Sequence, residues 1–335
     1  MQPLYRNVFL VIGIVAIVVM LCTSDFTLGA LWEGVRRAGY WFPAVVLLWV
    51  FLYLANACAW SVIIHDGGSP RVPFGRIYKY TVSGYALNYV TPVGVLGGEP
   101  YRIMELTPYV GAAKAASSVI LYAMMHIFSH FCFWTFSILL YLVLYGAQMS
   151  SGMAVFILLG ALFCSAGIYF FMKGYRNGLA LKTLRFLACI PGLRSRMGGF
   201  IDRKKEAIDK VDAQIAALHA QRRSTFYLSL FIEFAVRVVG CLEVQFTLLI
   251  LTDHVSFWDC VLIQAFTSLM ANLFFFVPMS MGAREGGYAL AVGGLSLSAA
   301  CGVYASLITR VRELIWIAVG LLLIKVGNRT PVSSP

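Results

Sequence analysis

Apolar residues fill this chain in long runs, and the polar positions between them recur in a paired arrangement. A run of about 20 apolar residues is the length that crosses a bilayer core as a helix. Runs of that kind lie at Trp41–Ile64, Ala112–Tyr145, Met153–Met172, Thr225–Leu251 and Ala299–Ile324, with a shorter one at Val8–Cys22. The first run follows Arg6 and has no small-x-small cleavage site behind it, so it reads as an uncleaved span. Residues 25–40 read as a short outer loop. Trp41, Trp49, Tyr53 and Trp60 lie along the second span, and those near its ends suit the membrane interface. Ala112–Tyr145 outruns a bilayer core at about 1.5 Å per residue, so it is expected to tilt or protrude.

Two apolar segments do not fit the spanning pattern. Tyr78–Val90 is too short to cross and runs into a break at Pro92, Gly94, Gly97 and Gly98, after which Glu99–Val110 mixes charged and apolar residues. Phe257–Val277 runs into a break at Pro278–Gly282 and resumes at Gly286–Leu295. A lipid-facing helix could not hold such breaks, because its freed backbone groups would find no partners in hydrocarbon. Each segment therefore reads as a re-entrant hairpin of two half-helices lining a cavity. The turn at 65–71 carries Arg71 and is followed by Arg76 and Lys79, whereas Gln148–Ser150 and Thr252–His254 hold no Lys or Arg. By the positive-inside rule the first hairpin enters from the cytoplasm and the second from the opposite side. Both termini are then cytoplasmic, and the two halves form an inverted repeat.

Composition agrees with an all-α, polytopic helical membrane protein of about six full spans plus two re-entrant broken-helix hairpins. The chain is 60% hydrophobic and only 12% charged, against roughly a quarter charged in ordinary soluble domains. It reads as one integral membrane domain: a first half over 1–172, a basic cytoplasmic connector over 173–223, and a second half over 224–327. The net charge of +11 does not indicate nucleic acid. Its excess lies in the connector, where twelve Lys and Arg stand against four acids. There Ile201, Ile208, Val211, Ile215 and Leu218 recur at helical spacing, as do Leu181, Leu184 and Leu187. Basic amphipathic pieces of this kind lie on an anionic leaflet, which makes membrane lipids the expected partners. The eight cysteines are scattered without a CxxC pair, as small buried residues would be.

The candidate chemistry sits at the breaks. The first motif is Asn88-x3-Pro92-x-Gly94-x3-Gly98-Glu99-x2-Arg102. Proline and glycine free backbone groups and permit close approach. Asn88 caps a helix end or bonds a headgroup. Glu99 meets a headgroup, or else caps its helix and pairs with Arg102. The second motif is Asn272-x5-Pro278-x3-Gly282-x-Arg284-Glu285, with the same residue types in the corresponding place. Within spans lie Glu233 and Arg237, four apart and able to pair, then Glu243, Arg310, Arg312 and Glu313. A charged group at mid-bilayer costs roughly 2.5 kcal/mol or more on insertion scales, so these face the interior or a wet cavity. Arg310 is the preferred phosphate or carboxylate partner, because guanidinium binds such groups in bidentate fashion. His126 and His130 are also four apart, but aromatic residues surround them and no third ligand follows, so a hydrogen-bonded pair is expected instead of a metal site. No cofactor, metal or catalytic set can be assembled.

These residues carry a resemblance. Asn88–Arg102, the Pro278–Glu285 break and the final span with Arg310 resemble the lysylphosphatidylglycerol synthase transmembrane family, also called flippase-like, over about Val8 to Gly327. The second motif departs from the family's Pro-Gly-Gly-like run, reading Pro278-Met279-Ser280-Met281-Gly282. Larger members add a soluble synthetase or transferase domain, and this chain looks like the stand-alone membrane part. The resemblance implies a translocase, not an enzyme, that moves a polar lipid between leaflets of the cell membrane, aminoacylated phosphatidylglycerol being the best-known class. A secondary transporter of a small solute and a membrane-embedded lipid-biosynthesis partner remain as alternatives.

Overall fold

The computed structural model describes residues 28–68, 71–90, 98–173, 222–273, 283–294 and 299–326. The first span Val8–Cys22, the helices expected in the connector, and Pro92, Gly94, Pro278 and Gly282 lie outside the described residues. Among the described residues ten α-helices follow in order: α1 Leu28–Ala38, α2 Trp41–Ile64, α3 Phe74–Val90, α4 Gly98–Val110, α5 Ala112–Tyr145, α6 Ser151–Lys173, α7 Arg223–Leu248, α8 Phe257–Leu273, α9 Ala283–Gly294 and α10 Ala299–Lys325. Four of them, α2, α5, α6 and α7, are long and apolar enough to cross a membrane. The 27 residues of α10 give it the same length, but Arg310, Arg312 and Glu313 interrupt its apolar run. Their outer faces leave large apolar side chains uncovered: Phe51 on α2, Val143 on α5, Leu158 and Leu162 on α6, Phe231 on α7. That surface suits hydrocarbon. The protein is an all-α polytopic membrane protein.

Residues 28–38 form a helix where an outer loop was expected. Gly34 is where the helix lies against α10. A Cβ there would sit 2.6 Å from a Leu307 methyl, and the Gly34 carbonyl accepts a 2.7 Å bond from the Tyr304 hydroxyl. Tertiary contact stabilises a segment whose own propensity is weak.

Contacts at the helix ends show how the two halves are related. Trp41, at the start of α2, stacks on Phe246 near the end of α7. At the other end of the pair, Thr225 donates to Asp66 at 3.0 Å. So α2 and α7 run antiparallel. The Asp66 end also receives Lys114 from the start of α5, and there Lys79 of α3 donates to the Val326 carbonyl just past α10. At the Trp41 end, Tyr145 closing α5 donates to Asp259 of α8 at 2.6 Å. The hairpin α3–α4 therefore enters from the Asp66 end, and α8–α9 enters from the Tyr145 end. Exchanging α2 with α7, α3 with α8, α4 with α9 and α5 with α10 maps neighbours onto neighbours. For instance α3 packs on α10 as α8 packs on α5, and α4 packs on α5 as α9 packs on α10. Because the exchanged α2 and α7 are antiparallel, the axis relating the halves lies across the helices, the geometry of an inverted repeat.

The half-helices are short by design of the sequence. At about 1.5 Å per residue, the 17 residues of α3 extend about 25 Å, less than a bilayer core needs. The returning half-helix of the hairpin, α4, is followed by Gly111, whose φ of +80° turns the chain into α5. A side chain is strained in that region of backbone space, and glycine is not.

Candidate functional site

Two half-helices meet closely at the first break. A Cβ on Gly98 would lie 2.1 Å from the Gly84 carbonyl oxygen and 2.6 Å from Asn88 Oδ1. Only a hydrogen fits there, so Gly98 opens α4 directly against α3. Asn88 then bridges the pair. Its Oδ1 accepts the Gly98 N–H at 2.8 Å, and its Nδ2 donates to Glu99 Oε1 at 3.0 Å. The capping role expected as one option for Asn88 is the one seen, with an orphan N–H at the start of α4 satisfied from across the break. Glu99 sits in the first turn, where a carboxylate is favoured by the exposed N–H groups. Its Oε2 is buried and has no hydrogen-bond partner.

Arg102 is the inner end of this group. Its side chain is 2% exposed, with Nη1 3.6 Å from Glu99 Oε1 and Nη2 donating to the Thr81 carbonyl at 3.3 Å. The rings of Tyr85, Tyr122 and Trp60 surround the guanidinium, 4.7 to 5.8 Å from their centres. Gly84 makes room, since a Cβ there would be 2.2 Å from Arg102 Nε. Beyond Arg102, the hydroxyls of Tyr85 and Tyr122 lie 2.9 Å apart and both donate toward Asn56 Oδ1. The path continues to His126, whose ring is near both tyrosines.

His126 and His130 do not bond each other, contrary to the expected pair. Their rings meet edge to face at 5.5 Å. Each reaches instead to α7: His126 Nδ1 is 2.8 Å from Glu233 Oε2, and His130 Nε2 is 2.9 Å from Arg237 Nη1. Glu233 and Arg237 are likewise joined to α5 more tightly than to one another, their own separation being 3.9 Å. Helical spacing brings both pairs to one face each, and the packing of α5 on α7 decides which atoms meet.

A second buried group lies across the bundle. Arg312 grips Glu243 of α7 with two donors, Nε to Oε1 at 2.9 Å and Nη2 to Oε2 at 3.1 Å. Trp49 Nε1 donates to Glu243 Oε2 at 2.8 Å, and its ring faces the Arg312 guanidinium at 3.8 Å. Glu313 stands 3.9 Å from Arg312 and 3.5 Å from Arg310. Arg310 is therefore already engaged with a carboxylate.

Of the twelve residues singled out from sequence, Asn88, Gly98, Glu99 and Arg102 come together as one unit. Asn272 ends α8 with an exposed side chain that donates back to the Ser268 carbonyl at 2.8 Å, so it bridges nothing comparable among the described residues. Arg284 and Glu285 fall in the first turn of α9, the position that Glu99 holds in α4. Sequence reading missed Gly84, Asn56, Tyr85 and Tyr122. It also placed Trp49, Tyr53 and Trp60 along a span without assigning them an inner face. The signal existed: Trp49, Tyr53, Asn56 and Trp60 follow spacings of four, three and four, one stripe of a helix. Tyr53 and Trp60 are buried within the protein.

Asn88→Asp is a sensitive probe of the bridge. The new carboxylate keeps an acceptor for the Gly98 N–H but faces Glu99 without a donor. We expect a loss of about 2 kcal/mol, most of it recovered when Glu99→Gln is added, as read from thermal unfolding of the purified variants. Equal loss with and without Glu99→Gln would show that the two side chains do not interact.

Comparison with curated proteins and with solved structures finds no match to this chain. A protein family does match, described as the lysylphosphatidylglycerol synthase TM region, and it covers residues 8–320 of the 335. With nearly the whole chain matched, and with spanning helices and inward-facing polar groups to agree, this protein belongs to the lysylphosphatidylglycerol synthase transmembrane family.

Proposed function

We propose that the protein is a lipid translocase of the cell membrane that carries a polar headgroup between leaflets while the acyl chains stay in hydrocarbon. One observation carries this reading. A continuous polar string, from Glu99 and Arg102 through Tyr85, Tyr122 and Asn56 to His126, Glu233 and Arg237, runs inside helices whose outer faces are apolar. Hairpins entering from opposite ends give such a string access to both sides in turn. The Asp66 end gathers Arg71, Arg76, Lys79, Lys114, Arg222 and Lys325, so by the positive-inside rule it faces the cytoplasm. The basic connector over 173–223 then rests on the anionic inner leaflet.

Glu99 is the first headgroup contact, because its Oε2 has no partner and its side chain keeps 18% exposure. Glu285 takes the equivalent place in the second hairpin. Arg102, Arg284 and Arg310 supply charge for the phosphate, Arg102 and Arg310 on release from Glu99 and Glu313. The protein carries out no bond chemistry on the lipid. The test uses vesicles holding purified protein and trace fluorescent phosphatidylglycerol or lysylphosphatidylglycerol, with a membrane-impermeant quencher to read the outer leaflet. Glu99→Gln and Glu285→Gln are each expected to slow lipid exchange tenfold or more. Unchanged exchange by folded variants would remove both carboxylates from the pathway.

A further inference from the structure

Donor and acceptor rules assign the His130 tautomer in the group between α5 and α7. Arginine has donors only. Arg237 Nη1 faces His130 Nε2 at 2.9 Å, so that nitrogen accepts and the ring proton sits on Nδ1. His130 is thus neutral, and its Nδ1 is buried without a hydrogen-bond partner. Arg237 also donates to Ser129 Oγ at 2.7 Å and to the His126 carbonyl at 2.6 Å. It is locked to α5.

His126 and Glu233 are placed differently. Glu233 is 1% exposed and His126 is 34% exposed. Their contact, 2.8 Å from Nδ1 to Oε2, has the geometry for His126 Nδ1–H to donate to an ionised Glu233. In that arrangement Nε2 of His126, on the side of the ring that Glu233 does not cover, is a base with no hydrogen-bond partner among the described residues. A proton arriving there makes an imidazolium against a carboxylate without any change in the existing bond. The charged and titratable groups facing the ring are His130 and Tyr122 on α5, Glu233 and Arg237 on α7, Tyr85 on α3 and Arg102 on α4. Asn56 of α2 joins them as a neutral hydrogen-bond partner of the two tyrosines. Arg237 and Arg102 oppose an added positive charge on the ring and Glu233 favours it.

We propose that His126 and Glu233 form a proton-binding site, loaded through His126 Nε2, and that its proton is the coupling ion of the translocation proposed above. With Glu233 ionised and Arg237 charged, the unloaded cluster is neutral. Loading raises it to +1 in a low-dielectric interior, a state that calls for an anion. The phosphate of a phospholipid headgroup on the same polar string supplies it, so proton and headgroup are taken up together. The coupling rests on the lipid reading; the proton site itself does not.

Two measurements separate these. In the first, the full chain in phosphatidylglycerol nanodiscs, labelled with 15N-histidine, is titrated by NMR from about pH 8 to about pH 5, where histidine ordinarily changes charge. The His126 signal, assigned by its loss in His126→Asn, is expected to convert to imidazolium. In Glu233→Gln its midpoint should fall by about one pH unit, a tenfold loss of proton affinity. A His126 that does not titrate, or titrates identically in Glu233→Gln, overturns the proton site. The second uses fluorescent phosphatidylglycerol in vesicles with an imposed pH difference. Lipid is expected to accumulate in one leaflet for the native protein and not for His126→Asn, whose amide still donates to Glu233 but cannot take a proton. Lipid exchange that ignores the gradient overturns the coupling and leaves the translocase. A titrating His126–Glu233 pair in a protein that moves no lipid overturns the translocase and leaves the proton site.

Discussion

Glu243→Ala will destabilise this protein by about 3 kcal/mol, because it strips Arg312 of its bidentate partner inside the bundle. Arg312 is 1% exposed and loses two hydrogen bonds, while the Trp49 indole loses its acceptor. Glu313, 3.9 Å away and shared with Arg310, remains as partial compensation. The measurement is the thermal unfolding midpoint of detergent-solubilised protein. The companion variant Glu243→Leu with Arg312→Met removes both charges, and it should recover most of the loss, since the penalty comes from the stranded cation and not from the missing attraction. If the double variant unfolds as early as Glu243→Ala, the site matters for its shape and not its charge.

Gly98→Ala is the second large effect. The added methyl meets the Gly84 carbonyl, a backbone atom that cannot rotate away, and Asn88 Oδ1. The two half-helices must separate, and the bridge from Asn88 to Gly98 and Glu99 breaks with them. Overpacking of this kind costs about 3 kcal/mol at a rigid contact. Lipid exchange should fall as well, because Glu99 leaves its place. Gly286→Ala is the matched control: nothing among the described residues lies within 4 Å of its Cβ position, and alanine is the better helix former. It should leave stability unchanged or slightly raised. Gly98→Ala behaving like Gly286→Ala would mean that the hairpin does not need the close crossing.

Much of the architecture is legible in the sequence. The bounds expected for Ala112–Tyr145 and Trp41–Ile64 are those of α5 and α2. Run length and the lack of polar groups decide such helices locally, because hydrocarbon tolerates only backbone that bonds within its own segment. The pairing of half-length segments was legible for the same reason: proline and glycine cannot be hidden in a lipid-facing helix. The opposite entry of the two hairpins followed from loop charge, and the clasps at Asp66 and Asp259 place it in three dimensions. Helix α1 was not legible, because it depends on Gly34 lying against α10.

The site divides along the same line. Asn88, Gly98, Glu99 and Arg102 lie within fifteen residues, so a local motif could bring them together. The tyrosines around Arg102, the union of Glu243 with Arg312, and the crossing of His126 to Glu233 join residues 69 to 107 positions apart or lie on separate helices. By itself the sequence determined which residues are too polar for lipid, and therefore that they face inward. Helical period even set which of them share a face. Which inward groups touch was settled only by the antiparallel packing of α2 on α7 and of α5 against both. A buried charge needs a partner, but any of several opposite charges would satisfy that need equally, and only distance in the folded bundle selects one.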